Sequence, residues 1–376
     1  MKSKSFLEQY YLLKRNPFAS RTDPQVDMAG RKKEKQRWTQ IVESRKGTNA
    51  NAIHFIVGDY GFGKTLSLYK IVTQYNNDSE ILPIFMKMLP EDKVAKFGVD
   101  FIQRIFQKIK PEIYSNFKDQ DIESIKKIYS DCGKVFFRIK SGGIDGIEFL
   151  QGQRPFTLQQ LQKIGIRRKM DKTDIAKEYL ISLLFLLKGV GISTLILAVD
   201  EVEYIFSQMR GSNIALVFNT LRDFYDLPTQ PTMYPLPYNP ANIIFFFGIS
   251  SSGWRYLTDL GRREQTQGGP IQPLMRRFGD SIELTPLNLE ETKELIELRL
   301  RNNRVTGKTE DEPLIPYDDS FVKYVFELSL GNPGDIVKFC DYALEEGLIE
   351  KVNTLNKTFA EKAFVSHGLI TPPESA

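Results

Sequence analysis

Two cysteines, Cys132 and Cys340, and two histidines, His54 and His367, are all that 376 residues provide. A Cys/His zinc site would need all four to converge, and no pair shows ligand spacing such as C-x2-C or H-x3-H. The same count excludes a disulfide scaffold. Any Cys–His or Ser–His chemistry must run through one of two imidazoles. Charge of one sign is also scarce: 51 Lys and Arg against 47 Asp and Glu leave a net +4. That surplus permits contact with nucleic acid without arguing for it, because four charges can lie anywhere on a surface. No apolar run reaches the roughly eighteen residues of a membrane span. The longest candidate, residues 181–198, is broken by Lys188, Gly189, Gly191, Ser193 and Thr194. The opening MKSKSFLEQYYLLKRNPF lacks an uninterrupted apolar core and a small-residue cleavage site, so it does not read as a secretory signal. A cytoplasmic protein with no membrane contact is the expectation.

What is present is ordinary for globular chains: 41% hydrophobic, 26% charged and 12% aromatic residues. This balance excludes a mainly disordered or collagenous polymer. Residues 1–50 are polar and helical in tendency, with a turn at Asn16-Pro17 and a basic run from Arg31 to Lys35. Short apolar runs then recur at Ile53–Val57, Ile81–Met86, Thr194–Val199 and Ile243–Ile249, with a weaker one at Ser281–Leu284. Runs so short and so rich in β-branched and aromatic residues predict buried strands of a mainly parallel, five-stranded sheet. Amphipathic segments between them predict helical crossovers, hence an α/β layered domain over residues 51–285.

The interval between the second and third strands is too long for a simple crossover. An insertion at about 90–190 is expected there, with helices over Phe101–Lys110 and Lys172–Leu187 and a stretch carrying Gly142, Gly143, Gly146 and Gly152 between them. A Pro-rich loop follows at residues 227–240. Past Pro286 the pattern is helical at Leu289–Asn302, Asp319–Leu328, Pro333–Glu346 and Lys357–Val365, which predicts a small helical domain over 286–366 and a tail at 367–376.

Gly58-Asp-Tyr-Gly-Phe-Gly-Lys-Thr65 fits G-x4-G-K-[ST] without a mismatch, between a predicted strand and a predicted helix. Glycines let backbone N–H groups turn inward around a phosphate, and a helix N-terminus adds a favourable dipole. The binding set is Gly58, Asp59, Tyr60, Gly61, Phe62, Gly63, Lys64, Thr65 and Leu66, with Lys64 bridging β- and γ-phosphates and the Thr65 hydroxyl on Mg²⁺. The bland alternative is a glycine turn with a chance lysine.

Leu195-Ile-Leu-Ala-Val-Asp-Glu201 is an apolar run ending in two acids, at the strand edge where doubly wound sheets hold ligands. Asp200 is expected to act through Mg²⁺, Glu201 to polarise an attacking water, and Glu203 to face solvent. A buried strand followed by a solvated helix start is the rival reading. His54, within the first strand, reads as a satisfied core histidine. The basic runs at Arg31–Arg37 and Arg167–Lys169 suit phosphate backbones, or simply a solvated face.

These motifs together resemble the AAA+ class of P-loop ATPases, in the branch containing the archaeal origin-recognition initiators. Val26-Asp-Met-Ala-Gly-Arg31 resembles the adenine-side segment, which implies Gly30 and Arg31 as nucleotide contacts. Ile243–Ile249 with Ser250-Ser251-Ser252 resembles the sensor strand, implying Ser250. Leu274-Met-Arg-Arg-Phe278 resembles the arginine-finger segment entering a helical lid, implying Arg276 or Arg277, with Arg262 and Arg263 as rivals and a solvated basic turn as the bland reading. Two departures stand out. Leu330-Gly-Asn-Pro-Gly-Asp335 has Gly334 where the second sensor usually offers an arginine, leaving Lys338 as a substitute. The roughly thirty residues after Glu346 are too few for the initiators' winged helix. A narrower resemblance, over Tyr11–Phe18, Gly146–Gly152 and Leu161–Arg168, is to ATP-binding proteins of prokaryotic phage-defence loci. The resemblance implies a three-layer P-loop NTPase core with a helical lid. Its ligands would be ATP, ADP and Mg²⁺, and it would form a nucleotide-dependent homo-oligomer acting as a nucleic-acid-associated motor, loader or regulator with DNA and protein partners. The alternative is a nucleotide-gated signalling or scaffold switch that binds proteins without DNA.

Overall fold

A computed structural model describes residues 5–19, 28–88, 96–205, 212–229, 236–267, 272–305 and 313–371. Val26, Asp27, much of the Pro-rich loop and the tail after Thr371 lie outside the described residues. Strands β1 (Ala52–Val57), β2 (Ile81–Lys87), β3 (Thr194–Asp200), β4 (Asn242–Ile249) and β5 (Ile282–Glu283) form one sheet in the order β2-β3-β4-β1-β5. Every residue of β1, β3 and β4 is buried. That is why these strands read as unbroken apolar runs: a parallel sheet is covered on both faces. The pairings of β1 with β4, β4 with β3, and β3 with β2 are all parallel. In register, Val57 stands beside Ile249, and Val199 beside Phe247, so the carboxyl ends of the three central strands line up.

The helices, in chain order, are α1 (Phe6–Gln9), α2 (Lys32–Glu43), α3 (Lys64–Gln74), α4 (Phe97–Lys108), α5 (Pro111–Ser115), α6 (Asp119–Ile128), α7 (Ser130–Lys140), α8 (Ile144–Gln151), α9 (Leu158–Lys163), α10 (Thr173–Gly189), α11 (Ser212–Asp226), α12 (Ser251–Gln267), α13 (Gln272–Met275), α14 (Leu289–Arg301), α15 (Asp319–Ser329), α16 (Pro333–Glu350) and α17 (Lys357–Ser366). Helices α4 to α10 make up the long insertion between β2 and β3. The sequence signals two helices there and the described residues hold seven, α4 beginning at Phe97 and not at the expected Phe101. Local chemistry sets many of the boundaries. Asn288 and Glu291 form a capping box at the start of α14, while Arg299 and Arg301 complement the dipole at its end. Thr157 and Gln160 form the same box at the start of α9. Among the described residues no helix is long and apolar enough to cross a membrane.

The chain divides into two compact units. One comprises Met1–Gln36, Gly58–Ser67 and Glu283–Ala376, and the other Arg37–Val57 and Leu68–Ile282. The first has a core built on Tyr11, Phe18, Ile296, Phe321, Cys340 and Phe364. The second has a larger core running from the sheet into the insertion through Phe101, Phe106, Phe136 and Leu184.

His54 in β1 is 5% exposed, stacks on Phe246 and shares a 3.0 Å hydrogen bond with the Asp280 carbonyl through Nδ1. It is the satisfied core histidine its sequence context suggested. Burial pulls its pKa below the ordinary value, with Arg45 and Arg37 adding to the effect. The fold therefore favours the neutral ring, and the unfolded chain takes the proton first. Its contribution to stability is full above about pH 6.5 and is lost as pH falls toward the lowered folded value. Denaturant midpoints should drop between about pH 7.5 and 5.5, and the drop should shrink in His54→Gln. Equal drops in both proteins would show that other groups carry the acid sensitivity.

Candidate functional site

Within the first unit the phosphate loop, residues 58–65, runs into the start of α3. Gly61 and Gly63 have φ of +87° and +90°, in the left-handed region that glycine enters without strain. The first turn of a helix leaves N–H groups without an intrahelical partner, the arrangement that suits an anion. The Lys64 ammonium donates to the carbonyls of Gly58 at 2.9 Å and Asp59 at 3.2 Å. It is held over the loop by weak neutral acceptors that phosphate oxygens can replace. Tyr60 stands 84% exposed at the loop tip.

The helical lid grips this loop through main-chain groups. The Gly334 N–H donates to the Gly61 carbonyl at 3.0 Å. Asn332 caps α16 by accepting from Gly334 N–H at 2.9 Å, and its Nδ2 donates to the Tyr60 carbonyl at 3.0 Å. A Cβ on Gly61 would lie 2.4 Å from Asn332 Oδ1, and one on Gly334 would lie 2.8 Å from Gly61 Cα. The arginine expected by family likeness at 334 is thus excluded by backbone proximity. Lys338, one turn later, is half-buried.

Beside the loop is a cleft whose apolar walls include Ala29, Phe62, Leu66, Leu287 and Leu295, with Arg31 among them. Arg31 is 3% exposed; it pairs with Glu34 at 3.3 Å and donates to the Phe62 carbonyl at 3.3 Å. Burial draws its pKa below the ordinary arginine value, with the Glu34 carboxylate opposing the shift. The Gly30 N–H donates to Glu294 at 3.2 Å. The cleft's cavity volume is about 40 Å³, space for water, so its walls must part to admit a purine.

In the second unit β3 ends at Asp200, 1% exposed, and Glu201 follows with φ +62°. A non-glycine residue in the left-handed region costs on the order of 1–3 kcal/mol, and such outliers concentrate at functional sites. Opposite lies Gly248 of β4, where a Cβ would come within 2.6 Å of Asp200 Oδ1 and 2.8 Å of Leu68 Cδ1. Its isolation among the bulky residues Ile243–Ile249 is a sequence signal of close approach. Glu203, expected to face solvent, is half-buried with one carboxylate oxygen shut away. Ser250 accepts from the Gly253 N–H at 3.1 Å, lies 3.2 Å from the Ser252 hydroxyl, and so caps α12.

The two neighbouring arginines differ. Arg277 forks the Asp226 carboxylate with two 2.7 Å hydrogen bonds, donates to the Pro273 carbonyl and lies over the Tyr225 ring. Arg276 is exposed and makes no ion pair among the described residues. Arg262 is exposed and pairs loosely with Asp259 at 3.5 Å, and Arg263 is exposed on the same helix. Among the described residues no group of three or more His, Cys, Asp or Glu is placed to hold a metal by itself.

No protein-family model matches the sequence, and no curated protein matches it. Solved structures do match. The Aeropyrum pernix ORC2 protein, determined as ADPNP-ADP complexes, superposes with a TM-score of 0.56 at 15% identity over 94% of this chain and 72% of its own. Cdc6p from Pyrobaculum aerophilum gives 0.50 at 12% identity, over 96% and 75%. Drosophila ORC bound to DNA gives 0.50 at 12% identity, over 97% and 66%. The fold is that of these proteins, an α/β core with a parallel sheet and a helical C-terminal domain, as the sequence resemblance implied.

The lid's grip on the loop separates into two parts by substitution. Asn332→Ala removes the helix cap and the bond to Tyr60 together, and should cost about 1–2 kcal/mol of stability. Asn332→Asp keeps the capping acceptor but has no donor for Tyr60, so the melting temperature should recover. Amide hydrogen exchange in residues 58–63 should quicken in both variants. Exchange unchanged in both would mean that Asn332 does not hold the loop.

Proposed function

We propose that this chain is a Mg²⁺-dependent ATPase of the AAA+ kind. The observation that carries the reading is the phosphate loop itself: two left-handed glycines and a lysine held over loop carbonyls, between a buried strand and a helix N-terminus. The loop's N–H groups bind the β-phosphate, and Lys64 moves from the Gly58 and Asp59 carbonyls to the β- and γ-phosphate oxygens. Arg31, Gly30 and the apolar cleft take the adenosine side. Mg²⁺ would supply charge neutralisation of the triphosphate, and the two sequence motifs assign its protein oxygens to Thr65 and Asp200. Glu201 orients and deprotonates the attacking water, and the strained backbone there fixes its direction. Ser250 is the polar sensor, its hydroxyl held by the α12 cap.

The finger in this reading is Arg276, acting across a boundary between copies. Arg277 is a positioning residue: its fork with Asp226 anchors the segment so that the adjacent guanidinium projects. Catalysis is then positioning and electrostatics, with little covalent work for the protein. Nucleic acid as the substrate of the motor, loader or regulator is supported by the fold shared with initiators, one of them solved on DNA. Cytoplasmic location and nucleotide-dependent self-association complete the proposal.

Glu201→Gln should retain ATP but lower turnover by about a hundredfold or more. Arg276→Ala should also be inactive alone. Mixing the two should restore part of the rate, because each copy supplies what the other lacks. Arg277→Ala and Asp226→Asn should lower turnover with little change in ATP affinity. No recovery on mixing, with Arg276→Ala as active as wild type, would remove the finger from the scheme.

A further inference from the structure

The chain's net charge of +4 is not evenly spread. Residues 97–190, the insertion, hold 17 Lys and Arg against 11 Asp and Glu, so the remainder of the chain is slightly acidic. Several of those acids are already committed to neighbours. Asp119 pairs with Lys140, Glu123 with Lys126, Asp145 with Arg138, Glu148 with Arg154, and Glu178 with Arg168. The unbalanced charge is therefore positive, and it gathers between α9 and α10, in Lys163-Ile-Gly-Ile-Arg-Arg-Lys-Met-Asp-Lys172.

This segment is held in one shape. Asp131, 4% exposed, accepts from the backbone N–H groups of Arg167 at 3.2 Å and Arg168 at 3.1 Å. Arg168 in turn spans Asp131 and Glu178. Lys134 donates to the Gly165 carbonyl at 2.8 Å, and Ile166 and Met170 are buried. With those residues turned inward, Lys163, Arg167 and Lys172 are left exposed, without an acid partner among the described residues. Lys127, at the end of α6 and just before Asp131, is exposed as well.

We propose that this pinned loop is a contact surface for the phosphate backbone of a nucleic acid. A protein partner needs an apolar or aromatic anchor, and the loop points its own apolar residues into the core. A polyanion needs only spaced cations, and cations fixed beforehand lose less entropy on binding. The buried Asp131 fixes them: its charge is taken up by two backbone N–H groups and one guanidinium, leaving Arg167 uncompensated. The inference rests on the nucleic-acid reading above and assigns the surface that serves it.

The test uses the full chain and labelled duplex and single-stranded DNA. Anisotropy is followed between about 50 and 200 mM salt, where phosphate neutralisation dominates the dependence. Lys163→Glu/Arg167→Glu/Lys172→Glu should bind at least tenfold more weakly, with a log–log salt slope shallower by roughly 2–3, about 0.9 for each phosphate that is no longer neutralised. A control reversal on the lid, Lys323→Glu/Lys351→Glu/Lys362→Glu, should bind like wild type. Basal ATP turnover should be unchanged in both variants, which checks that they are folded. If wild type binds DNA and the loop variant matches it in affinity and slope, the surface assignment is wrong while the nucleic-acid reading stands. If wild type shows no salt-dependent binding to either DNA, both are wrong. Binding to phosphatidylserine vesicles but not to DNA would reassign the loop to anionic lipid and overturn the proposal.

Discussion

One main-chain hydrogen bond, from the Gly334 N–H to the Gly61 carbonyl, constrains more of the proposed chemistry than any side chain does. It requires the start of α16 and the phosphate loop to approach so closely that neither position can carry a Cβ without displacement. Asn332 reinforces it with one amide group serving two purposes, capping the helix and holding the Tyr60 carbonyl. The consequence is visible at the scale of the fold. Residues Gly58–Ser67 belong to the same compact unit as the lid, although the chain enters them directly from a strand of the sheet. A lid joined to the loop by backbone contacts leaves no room for a guanidinium at position 334. The glycine there is the condition for contact.

Electrostatics elsewhere follows a similar division of labour, in which a paired group holds its neighbour in place. Arg277 is neutralised by Asp226, and this fixes a segment from which Arg276 projects. Arg168 is neutralised by Asp131 and Glu178, and this fixes a loop from which Arg167 projects. In both cases consecutive arginines look equivalent as sequence and differ sharply once folded. A bidentate fork orders the backbone even where its guanidinium stays partly exposed, whereas a guanidinium without an acid partner remains available to an external anion.

Strands β1, β3 and β4 and the lid helices were legible because burial on both faces and 3.6-residue periodicity each leave a strong local pattern. Leu289–Asn302 is the helix the sequence pattern predicts and Leu289–Arg301 is found. The insertion was much less legible. Helices α5 and α9 span only five and six residues, too few for a periodic signal, and Gly142, Gly143 and Gly152 interrupt the rest. The glycine-rich motif and the Asp-Glu strand end were readable as chemistry. The supports around them were not. Gly248 beside Asp200, Asn332 beside Tyr60 and Asp226 beside Arg277 are each distant in sequence from what they position, and only the fold brings them together.

The central claim is that the loop from Gly58 to Thr65 holds the phosphates of ATP, with Lys64 as the charge that binds them. Calorimetric titration of Mg²⁺-ATP into wild type and Lys64→Ala tests it most directly. The account predicts saturable one-site binding by wild type and at least a tenfold loss in the variant, about 1.4 kcal/mol or more. Equal affinity in the two proteins, or no binding by either, would contradict it.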